Sequence, residues 1–160
     1  MGLFPEENLN SLFFSRHDVN ELLGSASGHS FHLDDQDWPT VEHYFQAMQF
    51  DNASLQEKIR TAPSALAAIK MTKWRFWQRR KDWKARRQVL MTRAMYTKCK
   101  AHSDVGLALL NTGDKTLVEN SMYDYFWGCG RDRRGENQFG KVLMNVRAKL
   151  LQEASQQIES

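Results

Sequence analysis

The stretch DWPTVEHYFQAMQF, residues 37–50, threads a carboxylate and two amides through an aromatic and aliphatic segment. Glu42, Phe45, Gln46 and Gln49 are spaced i, i+3, i+4 and i+7, so on a helix they share one face beside the core stripe. A carboxylate flanked by amides at the margin of a core can wall a polar pocket. It can also simply favour a helix N-terminus through the macrodipole, and the stretch taken alone favours that simpler reading. His43 is offset from Glu42 by about 100° of helix. No HExxH pattern is present, so zinc binding by this helix has little support.

Two other stretches carry side chains suited to binding. WRFWQRRKDWKARR, residues 74–87, holds three of the five tryptophans. Its alternation of aromatic and Arg side chains suits base stacking with phosphate contact, or an anchor that fastens a basic helix to the core. ENSMYDYFWGCGRDRRGENQFG, residues 119–140, places Asp124 beside Tyr125, Phe126 and Trp127, then Gly128 and Gly130. Long loops that mix acids, aromatics, glycines and arginines are common binding loops, and the glycines let backbone approach a ligand closely. Asn137 stands where it can cap the final helix, leaving that helix N-terminus to meet an anion. Cys129, between two glycines, reads as incidental.

The elements that must position these residues follow from periodicity and capping. LFFSR, residues 12–16, predicts a short strand, and HSFHLDDQDWPT predicts a strand and turn. Thr40 can cap the next helix, whose stripe is Val41, Tyr44, Phe45 and Met48. Ser54 and Glu57 have capping-box spacing and predict a helix over 54–61. Pro63 suits the first turn of another over 63–70. A long helix is expected over 82–101, with Leu90, Met91, Ala94 and Met95 inward. Ser103 can cap a further helix ending at Gly113, and KTLVE, residues 115–119, reads as a strand. A last helix carries Phe139, Val142, Leu143, Val146 and Leu150. The sum is an α+β fold, predominantly helical, with a few short strands. No alternating strand–helix series and no glycine fingerprint supports a Rossmann or P-loop fold.

The whole chain sets the outer bounds. Its 160 residues suit one domain, expected over 11–153 with a flexible N-terminal tail at 1–10 and a C-terminal tail at 154–160. Hydrophobic content of 41% and charged content of 26% are those of a soluble globular protein. No stretch approaches the roughly 20 apolar residues of a membrane span. The acidic start, MGLFPEENLN, does not read as a signal peptide, so a cytoplasmic protein without membrane partners is expected. Two cysteines, Cys99 and Cys129, make neither a disulfide framework nor a zinc site. Net charge is only +3, but residues 70–87 hold nine Lys or Arg against one acid, Asp82. Such a patch fits a phosphate-bearing partner, or a solvated helix face balanced by acids elsewhere.

Taken together and in this order, WPTVEHYFQAMQF, RRKDW, LVE, DYFWGCG and GENQFGKVLMNVR resemble the NADAR/YbiA family of small N-glycosidases across residues 38–147. The resemblance implies a compact, mainly helical α+β domain that needs no metal or organic cofactor. It implies hydrolysis of an N-glycosidic bond. Some members split phosphoribosylamino-pyrimidine intermediates of riboflavin synthesis into ribose 5-phosphate and an aminopyrimidine, removing reactive metabolites. Others remove ADP-ribose from guanine in nucleic acid. The expected partner is therefore a small phosphoribosyl or ADP-ribosyl substrate, or ADP-ribosylated nucleic acid.

Carried over by motif position, the implied catalytic residues are Glu42, Asp124, Trp83 and Trp127. Arg80, Gln46, Asn137, Gly128 and Gly140 are implied in substrate binding. Glu42 would move protons or activate water, while Asp124 would stabilise the sugar cation or orient its hydroxyls, and the two roles can be exchanged. Trp83 and Trp127 would stack on the base or wall the pocket, and Arg80 with the basic run would bind phosphate. The chain departs from the family pattern at LLGSASGHSF, residues 22–31, where many relatives carry an LSNF-like segment that lines the pocket. A reading of another class is a nucleotide-binding module without turnover, built on the Trp/Arg patch. It leaves the two carboxylates unexplained, because acids near a phosphate site weaken simple anion binding.

Overall fold

The computed structural model describes residues 10–160; the expected tail at 1–10 lies almost wholly outside them. Strand β1 (Ser11–Phe14) pairs in parallel with β4 (Thr116–Glu119), setting Phe14 opposite Glu119. Strands β2 (Phe31–Leu33) and β3 (Gln36–Trp38) form an antiparallel hairpin. Its turn residues, Asp34 and Asp35, both take positive φ, which Asp tolerates through local hydrogen bonding. Among the described residues six α-helices complete the architecture: α1 (Val41–Ala47), α2 (Ala53–Arg60), α3 (Ala65–Thr72), α4 (Trp83–Ala101), α5 (Ser103–Leu110) and α6 (Gln138–Glu159). A 3-10 turn (Phe76–Gln78) joins α3 to α4.

Helix α1 is buried along its whole length and packs against α2, α3 and α4. Thr40 caps it as expected, its hydroxyl accepting from the His43 amide at 3.1 Å. His43 is a core histidine: Nδ1 meets the Thr40 hydroxyl at 2.8 Å and Nε2 the Ala62 carbonyl at 3.0 Å. Helix α4 packs against α6 as well, and α6 also covers β4. The expected stripe of α6, Phe139 to Leu150, is buried throughout.

Several helix starts differ from the sequence expectation. Asn52, not Ser54, caps α2, and Ser64, not Pro63, opens α3, each side-chain oxygen accepting an amide hydrogen three residues on. Neighbouring residues of cap type compete within one turn in both places. Helix α5 begins after His102 with no side-chain cap, so Ser103 is its first helical residue. Helix α6 continues through Glu159, beyond the tail expected from 154, because Ala, Gln and Glu sustain a helix even where it is exposed.

Candidate active site

Glu42 is fully buried. Its Oε1 accepts from Gln46 Nε2 at 2.6 Å. Its Oε2 accepts from the Ser25 hydroxyl at 2.5 Å and from Arg16 Nη1 at 3.4 Å, with His17 Nε2 at 3.6 Å. Burial alone would raise this carboxyl. The Arg16 charge, with His17 and the Ser25 hydroxyl, outweighs burial and holds it well below the usual carboxylate range. Glu42 is therefore an ionised carboxylate inside the protein, and not a solvated helix-end charge.

Asp124 is anchored as an Asx turn. Its Oδ1 accepts from the amides of Phe126 at 3.0 Å and Trp127 at 2.8 Å. Its Oδ2 lies 3.8 Å from Arg16 Nη2, and about a third of the side chain is exposed. One guanidinium thus reaches both acids that the sequence paired. Arg16 itself is buried, stacks over the Trp127 ring at 5.6 Å, and keeps an Nε with no hydrogen-bond partner.

Sequence reasoning missed Arg16 and His17. The parallel pairing of β1 with β4 brings them in, since Arg16 N donates to buried Glu119 at 3.1 Å just past the end of β1. The usable signal was their place at the end of the expected strand, residues 12–16, and directly after it, where connecting segments commonly present functional groups. Ser25 arrives from the divergent segment. That segment is clamped by buried Lys98, whose Nζ donates to the carbonyls of Leu22 and Gly24 and to the Ser27 hydroxyl.

The aromatic residues form a wall. Phe45 sits between Trp83, 5.0 Å away, and Trp127, 5.3 Å away, and Phe126 stands edge-on to Trp127 at 4.8 Å. Arg87, one turn beyond Trp83, lays its guanidinium 3.3 Å over Phe126, and its Nε also lacks a partner. Burial lowers its pKa, while Glu136 and Asp124 attract its charge and Arg79 repels it. His17, Asp124 and residues 120–123 open onto a cleft of about 640 Å³.

The loop at 120–137 is ordered by its own backbone. The amides of Glu136, Asn137, Gln138 and Phe139 donate to the carbonyls of Tyr125, Gly128, Phe126 and Trp127. These bonds overturn the expectation of a free helix N-terminus at α6. Asn137 occupies the cap position in a left-handed conformation (φ 50°) but makes no capping bond. Its amide instead bridges β4, accepting from Glu119 N at 2.9 Å and donating to the Leu117 carbonyl at 2.9 Å.

The remaining implied binding residues also turn inward. A Cβ on Gly140 would collide with the Leu117 carbonyl and the Asn137 side chain, so this glycine lets α6 lie against β4. The space over Gly128 is taken by Glu119 Oε2 and the Asp124 carbonyl. Gln46 spends its amide on Glu42 and its oxygen on Gln49 and Thr72. Arg80 is held by Asp82 at 2.6 Å, with Asp51 at 3.9 Å, and faces a different groove of about 1000 Å³ beside Lys58 and Arg75. Glu42, Asp124, Trp83 and Trp127 are thus brought together, whereas Arg80 is not.

The sequence matches the NADAR domain model over residues 3–151. The chain belongs to the NADAR family. Within it, the chain is 39% identical over 131 residues to "N-glycosidase Npun_R5314" of Nostoc punctiforme, covering 80% of this chain and 84% of that one. It is 33% identical over 138 residues to "N-glycosidase YbiA" of Escherichia coli, covering 86% of each. The NMR structure of E. coli YbiA superposes with a TM-score of 0.82 at 31% identity, over 91% of this chain and 88% of that one. A "Riboflavin biosynthesis protein VVA0006" of Vibrio vulnificus is 40% identical over 118 residues, which are 73% of this chain and 32% of that protein. The NADAR fold is therefore the α+β, predominantly helical domain described above. Among the described residues no helix is long and apolar enough to cross a membrane.

Proposed function

We propose that this NADAR protein is a hydrolase that cleaves the C–N bond between a phosphorylated ribose and a base or amine. Phosphoribosylamino-pyrimidine intermediates of riboflavin biosynthesis are the substrates this reading favours, releasing ribose 5-phosphate in the cytoplasm and so clearing reactive metabolites. Relatives named N-glycosidase and riboflavin biosynthesis protein support it. The observation that carries it is the pair of carboxylates, Glu42 and Asp124, joined by Arg16 beside an aromatic wall.

Breaking a ribosyl C–N bond builds positive charge on the sugar. Fixed negative groups in a water-poor site stabilise such charge strongly. Asp124, at the cleft surface, meets the sugar, while ionised Glu42 lies behind it and supports water activation rather than proton donation. Trp127 and Trp83, packed on either side of Phe45, back the two acids with a buried aromatic layer. Arg87, with an unpartnered Nε and Arg79 nearby, is the phosphate contact that Arg80 is not free to make.

A second reading, removal of ADP-ribose from guanine in nucleic acid, draws on one surface feature. Trp74, Phe76 and Trp77 are each at least 60% exposed among Lys73, Arg75 and Arg79, which suits stacking along a strand. Mass spectrometry of products after offering both substrate classes to the purified protein separates the two. Ribose 5-phosphate and aminopyrimidine support the first reading. ADP-ribose released from modified guanine, with the phosphoribosyl compound untouched, replaces it with the second.

A further inference from the structure

Glu42 presents a difficulty for any mechanism in which it touches substrate. It has no exposed surface, and both its oxygens are occupied by donors from Ser25, Gln46 and Arg16. His17 has what Glu42 lacks. Its side chain is 43% exposed, it lines the same cleft as Asp124, and its Nε2 stands 3.6 Å from Glu42 Oε2. A buried carboxylate behind a histidine that faces the substrate is the arrangement by which Ser-His-Asp enzymes orient and support an imidazolium.

We infer that His17 is the proton-carrying residue of this site, with Glu42 as the positioning residue behind it. The inference rests on the N-glycosidase reading above. The imidazolium of His17 gives a proton to the leaving nitrogen as the C–N bond breaks, and the bonding pair departs with that nitrogen. Water then adds its oxygen to the anomeric carbon and returns one proton to neutral His17. One water is consumed, the ribose gains a hydroxyl, the amine gains a hydrogen, and His17 ends as it began. Glu42 stays ionised throughout.

The charged and titratable groups placed around His17 are Glu42 from α1, which Arg16 also contacts, and Asp124 and Tyr123 from the loop, which line the same cleft. Because the protonated imidazole does the first step, activity should be lower at alkaline than at acid pH.

The test compares purified wild type, His17→Asn and Glu42→Gln on a phosphoribosylamino-pyrimidine across pH 5–9. Thermal melts confirm that the exposed His17 position tolerates the change. His17→Asn should lower kcat by about 10²–10⁴-fold, the usual contribution of a general acid or base, with KM changed less than about threefold. The alkaline limb of the pH profile should vanish, and added imidazole should restore part of the rate in His17→Gly. A His17→Asn enzyme that keeps the wild-type rate, or one whose residual activity keeps the same alkaline limb, overturns the role of His17. Those results with an inactive Glu42→Gln remove only this inference. A fully active Glu42→Gln removes the site reading on which it rests.

Discussion

Arg16→Met removes the positive charge that reaches both acids while keeping much of the aliphatic stem. The Arg16–Glu42 contact is 3.4 Å between groups 7% and 0% exposed. Coulomb attraction at that distance with an effective dielectric near 20 is about 5 kcal/mol. Losing one partner of a buried pair typically costs about 3–5 kcal/mol, because the other charge is left without compensation. For a chain of this length that corresponds to a melting point lower by roughly 6–20 °C.

The effect depends on pH in a defined direction. In the folded wild type Glu42 is held below its ordinary value of 4.5, so it stabilises the fold above about that pH. That contribution is lost as pH falls through the folded value. In Arg16→Met, burial dominates and pushes the carboxyl above 4.5, so ionised Glu42 now opposes folding. The stability gap between wild type and variant should already be present near pH 4, where wild-type Glu42 is still ionised, and should widen toward pH 7 as the variant's carboxylate is forced to ionise inside the protein. Urea unfolding from pH 4 to 8, followed by tryptophan fluorescence and circular dichroism, measures it. A loss below about 1 kcal/mol at pH 7, unchanged with pH, is the behaviour of a surface ion pair and refutes the electrostatic account of Glu42.

Three further outcomes follow from the same geometry. Arg87→Ala should raise KM for a phosphorylated substrate about tenfold, the effect of losing one charge-assisted contact, whereas Arg80→Ala should leave KM nearly unchanged. Steady-state kinetics on both variants decides between them. Gly140→Ala should destabilise by about 1–3 kcal/mol through overpacking against β4, measured by chemical unfolding. Lys98→Met should cost a similar amount, about 1–3 kcal/mol, by leaving its buried acceptors unsatisfied, and should speed hydrogen exchange in residues 22–27.

The helical frame was legible because it is local. The stripe of Val41, Tyr44 and Phe45 and that of Phe139 to Leu150 are periodic, and both are buried as expected. Caps were harder, because Asn52 competes with Ser54 and Ser64 with Pro63 inside a single turn. Asn137 looked like a cap and behaves as a bridge to β4, through contacts 18 and 20 residues away that no local pattern encodes.

The site divides along the same line. Glu42, Asp124, Trp83 and Trp127 could be carried over from motif resemblance, and the fold gathers them. Their regulator Arg16 lies 26 residues from Glu42 and 108 from Asp124, so only the parallel β1–β4 pairing reveals it. Arg80 is the reverse case. Asp82, two residues on, was visible in RRKDW as the partner that neutralises it.

The proposed reaction is hydrolysis of a ribosyl C–N bond at the Glu42 site. Its most direct test is quantification of both products from a phosphoribosylamino-pyrimidine, with wild type and Glu42→Gln side by side. Equal amounts of ribose 5-phosphate and free aminopyrimidine are expected from wild type, and a rate about 10²–10⁴-fold lower from the folded variant. Equal product release by both proteins, or none above the uncatalysed rate with wild type on either phosphoribosyl or ADP-ribosyl substrates, would contradict it.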